Sequence, residues 1–370
     1  MAASFFLETP LSPDLYPFNV LRSEHALHFG VRSIANQWKD ILQVKPNTLI
    51  HPRLLPTATN VDMVMGLKNN QSWTHLEVRV AQCGRGNASF ESTTTPDLLK
   101  EASFIFERVE EGLLGDLERL KLAWRLRTLE EDERKAWAES GVIVHGPMNH
   151  IHLAPGAVLR DVSLNCEEGD IVIGPGAEIM EGCRIRGPFA IGEQSVLRMG
   201  TLVYGPTTIG SYCKIGGELS NVVIHDYSNK AHGGFLGNSV LGSWCNLGAE
   251  TSCSNLKNTY GEIAQWSELD GAFQGRGRTF CGLFMGDHSK SAIHTSFNTA
   301  SVVGAMCNVF GSNMPPRHLP SFSWGIGGDV HDVERGLSTA RKVMSRRDVT
   351  LSSEEETRIR EAFARRVGAV

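Results

Sequence analysis

Aliphatic residues recur at every sixth position through the middle of this chain. A period of six suits neither the 3.6-residue turn of an α-helix nor the two-residue alternation of a lone strand. It fits short strands and turns that wind into a triangular coil, with three hexapeptides to one coil. The pattern therefore predicts a parallel β-helix with an aliphatic interior. The residues of this ladder are Ile173, Ile179, Ile185, Ile191, Leu197, Val203, Ile209 and Ile215.

The same spacing returns on both sides of the ladder, and we assign residues 145–328 to the β-helix on this basis. The spacing breaks across 221–234 and fails altogether at 253–280, where Gly, Asn, Gln and Arg accumulate. We predict that 253–280 is a loop outside the coil, and loops on a rigid scaffold often carry function. The flanking positions in register are Leu153, Leu159, Leu241, Leu247, Phe297, Val303 and Val309.

The segments outside the β-helix show other patterns. Apolar residues at helical spacing predict a helical connector over residues 96–144. Residues 329–370 predict two C-terminal helices, the second opened by serine and followed by acidic residues. Residues 1–95 give a weaker pattern, which we interpret as a small α/β domain. The predicted fold is thus mainly β, with helices at the end of the chain.

Composition narrows the function. The formal charge of −5 over 370 residues leaves no basic surplus for a nucleic acid. No apolar run is long enough for a membrane span and no signal-peptide pattern opens the chain, so we expect a cytoplasmic protein without a membrane partner. The eight cysteines form no C-x-x-C pair, and we interpret those on the hexapeptides as small buried residues.

Several longer strings of this chain resemble the bifunctional GlmU-type enzymes, in a divergent branch of sugar nucleotidyltransferase-like proteins. The resemblance extends over nearly the whole chain and implies that the β-helix is left-handed and carries an acyltransferase domain. It also implies that residues 1–95 are an abbreviated nucleotidyltransferase-like domain. The strings that carry it include Leu15-Tyr16-Pro17-Phe18, Tyr227-Ser228-Asn229-Lys230, Phe235-Leu236-Gly237, Met285-Gly286-Asp287-His288 and Pro320-Ser321-Phe322.

The resemblance implies an N-acyltransferase of the hexapeptide-repeat class, with acetyl-CoA or another acyl-CoA as donor. His232 falls where the family places its general base, which takes the proton of an attacking amine; an imidazole suits this task near neutral pH. The expected substrate-binding residues are Arg198, Lys230, Asn246 and Asn255. We further expect CoA contacts from Lys257, Arg276 and Arg278.

Three departures from the family bear on the substrate. Ser220 and Gly261 stand where the family has phosphate-binding lysines, and Phe235 stands where it has an active-site tyrosine. Loss of cationic contacts weakens phosphate recognition. The acceptor therefore stays open, as the amine of a sugar phosphate or of a nucleotide sugar. The family further implies a homotrimer, in which neighbouring subunits complete each site.

Three alternatives stay open at this point. The first is sugar 1-phosphate nucleotidyl transfer by the N-terminal domain, with Arg22 on the phosphates and Mg²⁺ as cofactor, although residues 8–13 contain no glycine for a phosphate loop. The second is a trimeric scaffold without activity. The third is a zinc site built from histidines of the β-helix. We expect no metal site, because these histidines lack a recognisable ligand spacing.

Overall fold

The computed structural model describes residues 5–85 and 88–368. Between residues 142 and 324, parallel strands wind into a three-sided prism, in which each strand pairs with the strand one coil further along the chain. The first face consists of Val158–Leu159, Glu178–Ile179, Val196–Leu197, Lys214–Ile215, Asn229–Lys230, Asn246–Leu247, Lys290–Ser291, Asn308–Val309 and Ser323–Trp324, with Asp329–Val330 antiparallel at its edge.

The second and third faces run into each other over three coils, where one long strand bends across both. The second face consists of Ile151–Leu153, Ile171–Ile173, Phe189–Ile191, the long strands Leu202–Ile209, Glu218–Ile224 and Phe235–Leu241, then Leu283–Met285, Ser301–Val303 and His318–Leu319, with Arg127–Thr128 antiparallel at its edge. The third face adds Val142–His145, Val162–Asn165, Arg184–Arg186, Ser252–Cys253 and Ser296–Phe297.

The aliphatic ladder lies inside the prism. All eight residues from Ile173 to Ile215 are at most 3% exposed, and they belong to one apolar core that continues from Val142 to Leu319. Burying such side chains contributes roughly 1.5–3 kcal/mol each to folding. The predicted fold class, mainly β with a parallel β-helix and C-terminal helices, is confirmed.

The break in the hexapeptide spacing reflects a shorter coil and does not interrupt the prism. Leu197 pairs with Ile215, which follows it by 18 residues, whereas Ile215 pairs with Lys230 after only 15. The shortened corner is formed by Gly216 and Gly217, and Gly217 has a φ of +81°. Positive φ is the conformation that glycine adopts without a steric penalty.

The segment 253–280 leaves the coil, and the chain returns to the second face at Leu283. It contains a short antiparallel hairpin, Ala264–Ser267 with Ala272–Gly275. A bridge between Leu256 and Phe280 closes its base.

The N-terminal part of the chain covers the second face of the prism. A small sheet has the strand order Thr48–Ile50, Val78–Cys83, Gln71–His75 and Ala88–Glu91, and a hairpin joins His28–Phe29 to Arg32–Ser33. Its helices are Ile34–Ile41 and Ala58–Gly66, with 3₁₀ turns at Pro13–Leu15, Glu24–Ala26 and Leu42–Val44. The apolar side chains of this unit form one core with the outward residues Val223, Val240, Phe284 and Val302 of the prism.

The connector and the C-terminus supply the remaining helices. The connector contains Phe104–Glu107, Val109–Ala123 and Arg134–Glu139, with 3₁₀ turns at Glu131–Glu133 and Met148–His150; the C-terminus contains Val333–Ser345 and Ser353–Arg366. A capping box between Ser352 and Glu355 opens the last helix. None of the helices in the described ranges is long and apolar enough to cross a membrane.

Candidate active site

His232 lies at the corner where the first face ends and the third face begins. Its side chain is exposed, and its imidazole has no hydrogen-bond partner among the described residues. The two adjacent coils bring small residues to this corner: Gly216 and Gly217 on one side, Gly248 and Ala249 on the other. The ring is therefore open to solvent and accessible to a ligand.

Lys230 holds this corner from the inside. Its side chain points into the prism at the position that Ile215 occupies one coil earlier, and only 1% of the residue is exposed. The ammonium donates to the carbonyl oxygens of Gly216, His232 and Gly233 at 2.9, 3.0 and 3.1 Å. Burial lowers the pKa of Lys230 to about 8, and the carboxylate of Glu250 opposes that shift.

The expectation that Lys230 binds substrate is therefore wrong in this structure. A side chain enclosed by the prism and bonded to three backbone carbonyls has no free donor for a ligand. Because two of those carbonyls belong to His232 and Gly233, Lys230 instead fixes the backbone that carries the exposed imidazole.

The other histidines of the prism separate into buried and exposed residues. His225 is fully buried, with one ring nitrogen bonded to the Leu241 carbonyl and the other accepting from the His28 backbone N–H. Burial lowers the pKa of His225, and it lowers the pKa of His288 to about 3. His294 is exposed, two coils from His232. In the part of the chain that the structure describes, no three histidine, cysteine or acidic side chains converge in a way that would hold a metal ion.

Arg198 and Asn246 lie on the same side of the prism as His232. Arg198 is exposed, and Gly216 separates it from Ala231 in the stack of coils. Asn246 is exposed on the first face and lines a cleft of about 420 Å³ together with Ala231, the residue before His232. The structure thus brings together three of the residues that sequence analysis selected.

Asn255 lies on the third face, on the other side of the corner. Its side-chain amide donates to the side-chain oxygen Oδ1 of Asn238 at 2.7 Å, close to Phe235 and Gly237. Ser220 pairs with Gly237 in the neighbouring strand. Two of the departures from the GlmU-type pattern, Ser220 and Phe235, therefore lie on the third face beside His232. Both side chains are neutral.

The remaining predicted cationic contacts are bound elsewhere. Arg278 forms ion pairs with Glu101 and Glu107 of the connector, and Arg276 lies 3.9 Å from Glu101. Lys257 donates to the carbonyl oxygen of Glu262 within the outer loop. These three residues fasten the loop, and the structure does not bring them to His232.

Arg22 also has a structural partner. Its guanidinium forms a two-point ion pair with Asp287 of the prism, with Nε 2.7 Å from Oδ2, and both side chains are largely buried. A guanidinium held this way is not free to bind the phosphates of a nucleotide. The role expected for Arg22 in nucleotidyl transfer is therefore not supported by its position.

Sequence reasoning missed a group of cations beside Asn246. Lys214, Lys290, Arg346 and Arg347 line the same cleft, two from the first face and two from the end of the helix Val333–Ser345. The signal was present in part, because Lys214 directly precedes a ladder residue and so faces outward. The contribution of the C-terminal helix depends on tertiary packing.

Comparison with known proteins found distant relatives of this chain. No protein-family model matches the chain. The chain is 25% identical over 206 residues to the "Bifunctional protein GlmU" of Nostoc sp., which covers 50% of this chain and 46% of that protein. It is 26% identical over 283 residues to the GlmU protein of Synechococcus sp. (strain JA-3-3Ab), covering 66% of this chain and 40% of the relative.

The chain is a distant relative of the GlmU proteins. The GlmU protein of Thermodesulfovibrio yellowstonii is also similar, at 27% identity over 169 residues and 37% of its length. The resemblance inferred from the sequence strings is thereby confirmed, although these alignments cover 40–66% of the chain and fall short of nearly all of it. This chain spans less than half the length of each of these GlmU proteins.

A solved structure titled for the UDP-N-acetylglucosamine acyltransferase of Arabidopsis is similar over 56% of this chain and 78% of its own. The sequence identity is 15% and the TM-score is 0.23.

Proposed function

We propose that this protein is a CoA-dependent N-acyltransferase that acylates the amine of a sugar phosphate or nucleotide sugar. The observation that carries the proposal is the position of His232: an exposed imidazole with no protein partner among the described residues, on a corner whose backbone is fixed by a buried ammonium. Distant similarity to the GlmU proteins supports the same class of reaction.

His232 acts as general base in this proposal. The amine nitrogen of the sugar attacks the thioester carbon, a C–N bond forms and the C–S bond breaks. His232 takes the proton that the amine loses and returns a proton to the departing thiolate. General-base catalysis of this kind contributes roughly 10²- to 10⁴-fold to a rate. Bound acyl-CoA supplies the activated acyl group, and the residues of this chain orient the amine and move the proton.

Arg198 and Asn246 are the residues we propose to orient the acceptor. Both are exposed on the side of the prism that carries His232. Asn255 lies on the third face, on the other side of the His232 corner. We propose that it contacts an acyl donor that extends across this corner. We further propose a homotrimer, since the N-terminal apolar core that the structure describes packs on the second face, at Val223, Val240 and Phe284, and we assign the third face to a neighbouring subunit.

The test is an acyl-transfer assay with purified protein, acetyl-CoA and a panel of amino-sugar phosphates and nucleotide amino sugars. Free CoA is followed with a thiol reagent, and the eight cysteines of the chain are all buried and unpaired, which limits their background reaction. We expect His232→Gln and His232→Ala to lower kcat/KM at least about 100-fold. The control is His294→Ala, which removes another exposed histidine two coils away and is expected to keep full activity.

Wild-type activity with an unaffected His232→Ala variant would refute the assigned base. Wild-type protein that releases no CoA with any acceptor of the panel would refute the proposed reaction.

A further inference from the structure

The strongest unassigned feature is the cleft between the first face and the helix Val333–Ser345. One wall consists of Lys214, Asn229, Asn246 and Lys290, which occupy the outward position of successive coils. Neighbouring strands are about 4.8 Å apart, so this row extends roughly 14 Å along the prism. The other wall consists of Val343, Arg346 and Arg347 at the end of the helix.

The charge of this cleft has one sign. Lys214, Lys290, Arg346 and Arg347 all line it, and the described residues that line it include no acidic side chain. None of the four forms an ion pair with a carboxylate anywhere in residues 5–85 or 88–368. Arg347 is the largest cause of a lowered pKa at Lys214, with Arg198 and Arg346 acting in the same direction.

Side-chain amides and aromatic rings accompany the cations. Arg347 donates to the side-chain oxygen Oδ1 of Asn229 at 3.2 Å, and Lys290 donates to the backbone carbonyl of His288 at 2.8 Å. Tyr227 and Trp244 stack at 4.1 Å and add an apolar wall. Both lie at a corner of the prism, where their backbones have positive φ.

Helix geometry explains only part of the arrangement. Basic residues such as Arg346 and Arg347 at a helix C-terminus favour the helix through its dipole. The helix dipole does not account for Lys214 and Lys290, which lie on the prism face. Their charges increase the electrostatic repulsion among the cations of the cleft. Like charges held together without counter-charges create a positive potential that concentrates anions.

We infer that this cleft binds the pyrophosphate group of a nucleotide-like ligand. The pyrophosphate oxygens accept from the four cations and from the amide of Asn246, and the stacked rings of Tyr227 and Trp244 lie against a less polar part of the ligand. The inference deepens the proposed function, because Ala231 places the cleft directly beside His232. It also explains why Ser220 and Gly261 are neutral at positions where the GlmU-type pattern has phosphate-binding lysines. In this chain the cations that bind phosphate lie on the first face and not on the third.

Pyrophosphate occurs in CoA and in nucleotide sugars, and a binding experiment separates the two. Isothermal titration calorimetry is performed on the full-length protein with inorganic pyrophosphate, UDP and CoA as separate probes. We expect all three to bind, and the tighter of UDP and CoA identifies which substrate uses the cleft. The affinity should fall with increasing salt, as it does for charge-dominated contacts.

Arg347→Gln and Lys290→Gln are expected to weaken pyrophosphate binding at least about tenfold each. The matched control is Lys342→Gln, which removes one exposed positive charge from the same helix outside the cleft and should leave the affinity unchanged. Arg347→Gln is the decisive variant; because Arg347 is half-buried, an unchanged urea midpoint of the variant separates lost binding from misfolding.

The inference is overturned if the wild-type protein binds none of the three probes, or if Arg347→Gln and Lys342→Gln bind pyrophosphate equally well. Neither result depends on acyl transfer. Pyrophosphate binding without any CoA release would therefore support the pyrophosphate site and reject the proposed reaction. CoA release without cation-dependent binding would support the reaction and reject the pyrophosphate site.

Discussion

Replacing the buried Lys230 by Met tests the internal anchor of the His232 corner. The substitution keeps a long side chain inside the prism but removes the donor to three carbonyl oxygens. A buried polar group without a partner costs about 1–3 kcal/mol, so the three together cost about 5 kcal/mol. The variant no longer buries a charge: the change of the Lys230 pKa from 10.5 to about 8 corresponds to about 3 kcal/mol. We expect a net loss of about 2 kcal/mol at pH 7.

The pH dependence distinguishes this account from a simple packing defect. The folded-state pKa of Lys230 is lowered, so between pH 8 and 10.5 the unfolded chain binds more protons than the folded chain, and wild-type stability rises with pH through this range. The Met variant lacks this contribution. The difference in the free energy of unfolding should therefore widen from about 2 kcal/mol at pH 7 to about 4 kcal/mol at pH 9.5.

Urea unfolding followed by tryptophan fluorescence at both pH values measures this difference. Lys342→Met, an exposed lysine outside the cleft, serves as the control and should match the wild type at both pH values. A variant as stable as the wild type at pH 7, or a difference that stays constant or narrows at pH 9.5, would show that the ammonium is not anchored as described.

Three further outcomes are expected. Gly217→Ala should destabilise the protein by roughly 1–3 kcal/mol, because the new Cβ would lie 2.6 Å from the Lys230 ammonium at a φ of +81°; equal urea midpoints for variant and wild type would contradict this. Arg278→Gln should speed proteolysis within residues 253–280 by releasing the loop from Glu101 and Glu107, while CoA affinity stays the same; a loss of CoA affinity with unchanged proteolysis would restore the phosphate role. Light scattering should give three times the chain mass of 40.6 kDa, and a monomeric mass in solution would reject the trimer.

The prism was predictable because its interior positions repeat, and eight aliphatic residues in one register leave few other folds. The cover on the second face also left a signal that the hexapeptide count ignored. The strands there carry adjacent apolar pairs, such as Val223-Ile224 and Phe284-Met285, in which one residue faces the interior and the other faces the N-terminal unit. Paired apolar residues indicate a strand buried on both sides.

The site was less predictable, for reasons that individual residues make clear. The sequence does not reveal that Lys230 lies inside the prism, because only the 15-residue coil places it there. The sequence also does not reveal the ion pairs of Arg22 and Arg278, because their partners Asp287 and Glu101 are 265 and 177 residues away in the chain. The cations of the cleft, by contrast, come from the prism and from the C-terminal helix. No repeat or motif in the sequence indicates that these two segments lie side by side.

The most direct test of the central claim is a crystal structure of the protein with acetyl-CoA and an amino-sugar acceptor bound to the His232→Gln variant. The account predicts that the acceptor nitrogen lies within hydrogen-bond reach of the side chain at position 232, about 3 Å, with the thioester carbon in contact with that nitrogen. Ligands bound with the acceptor nitrogen and the thioester both remote from position 232 would contradict it.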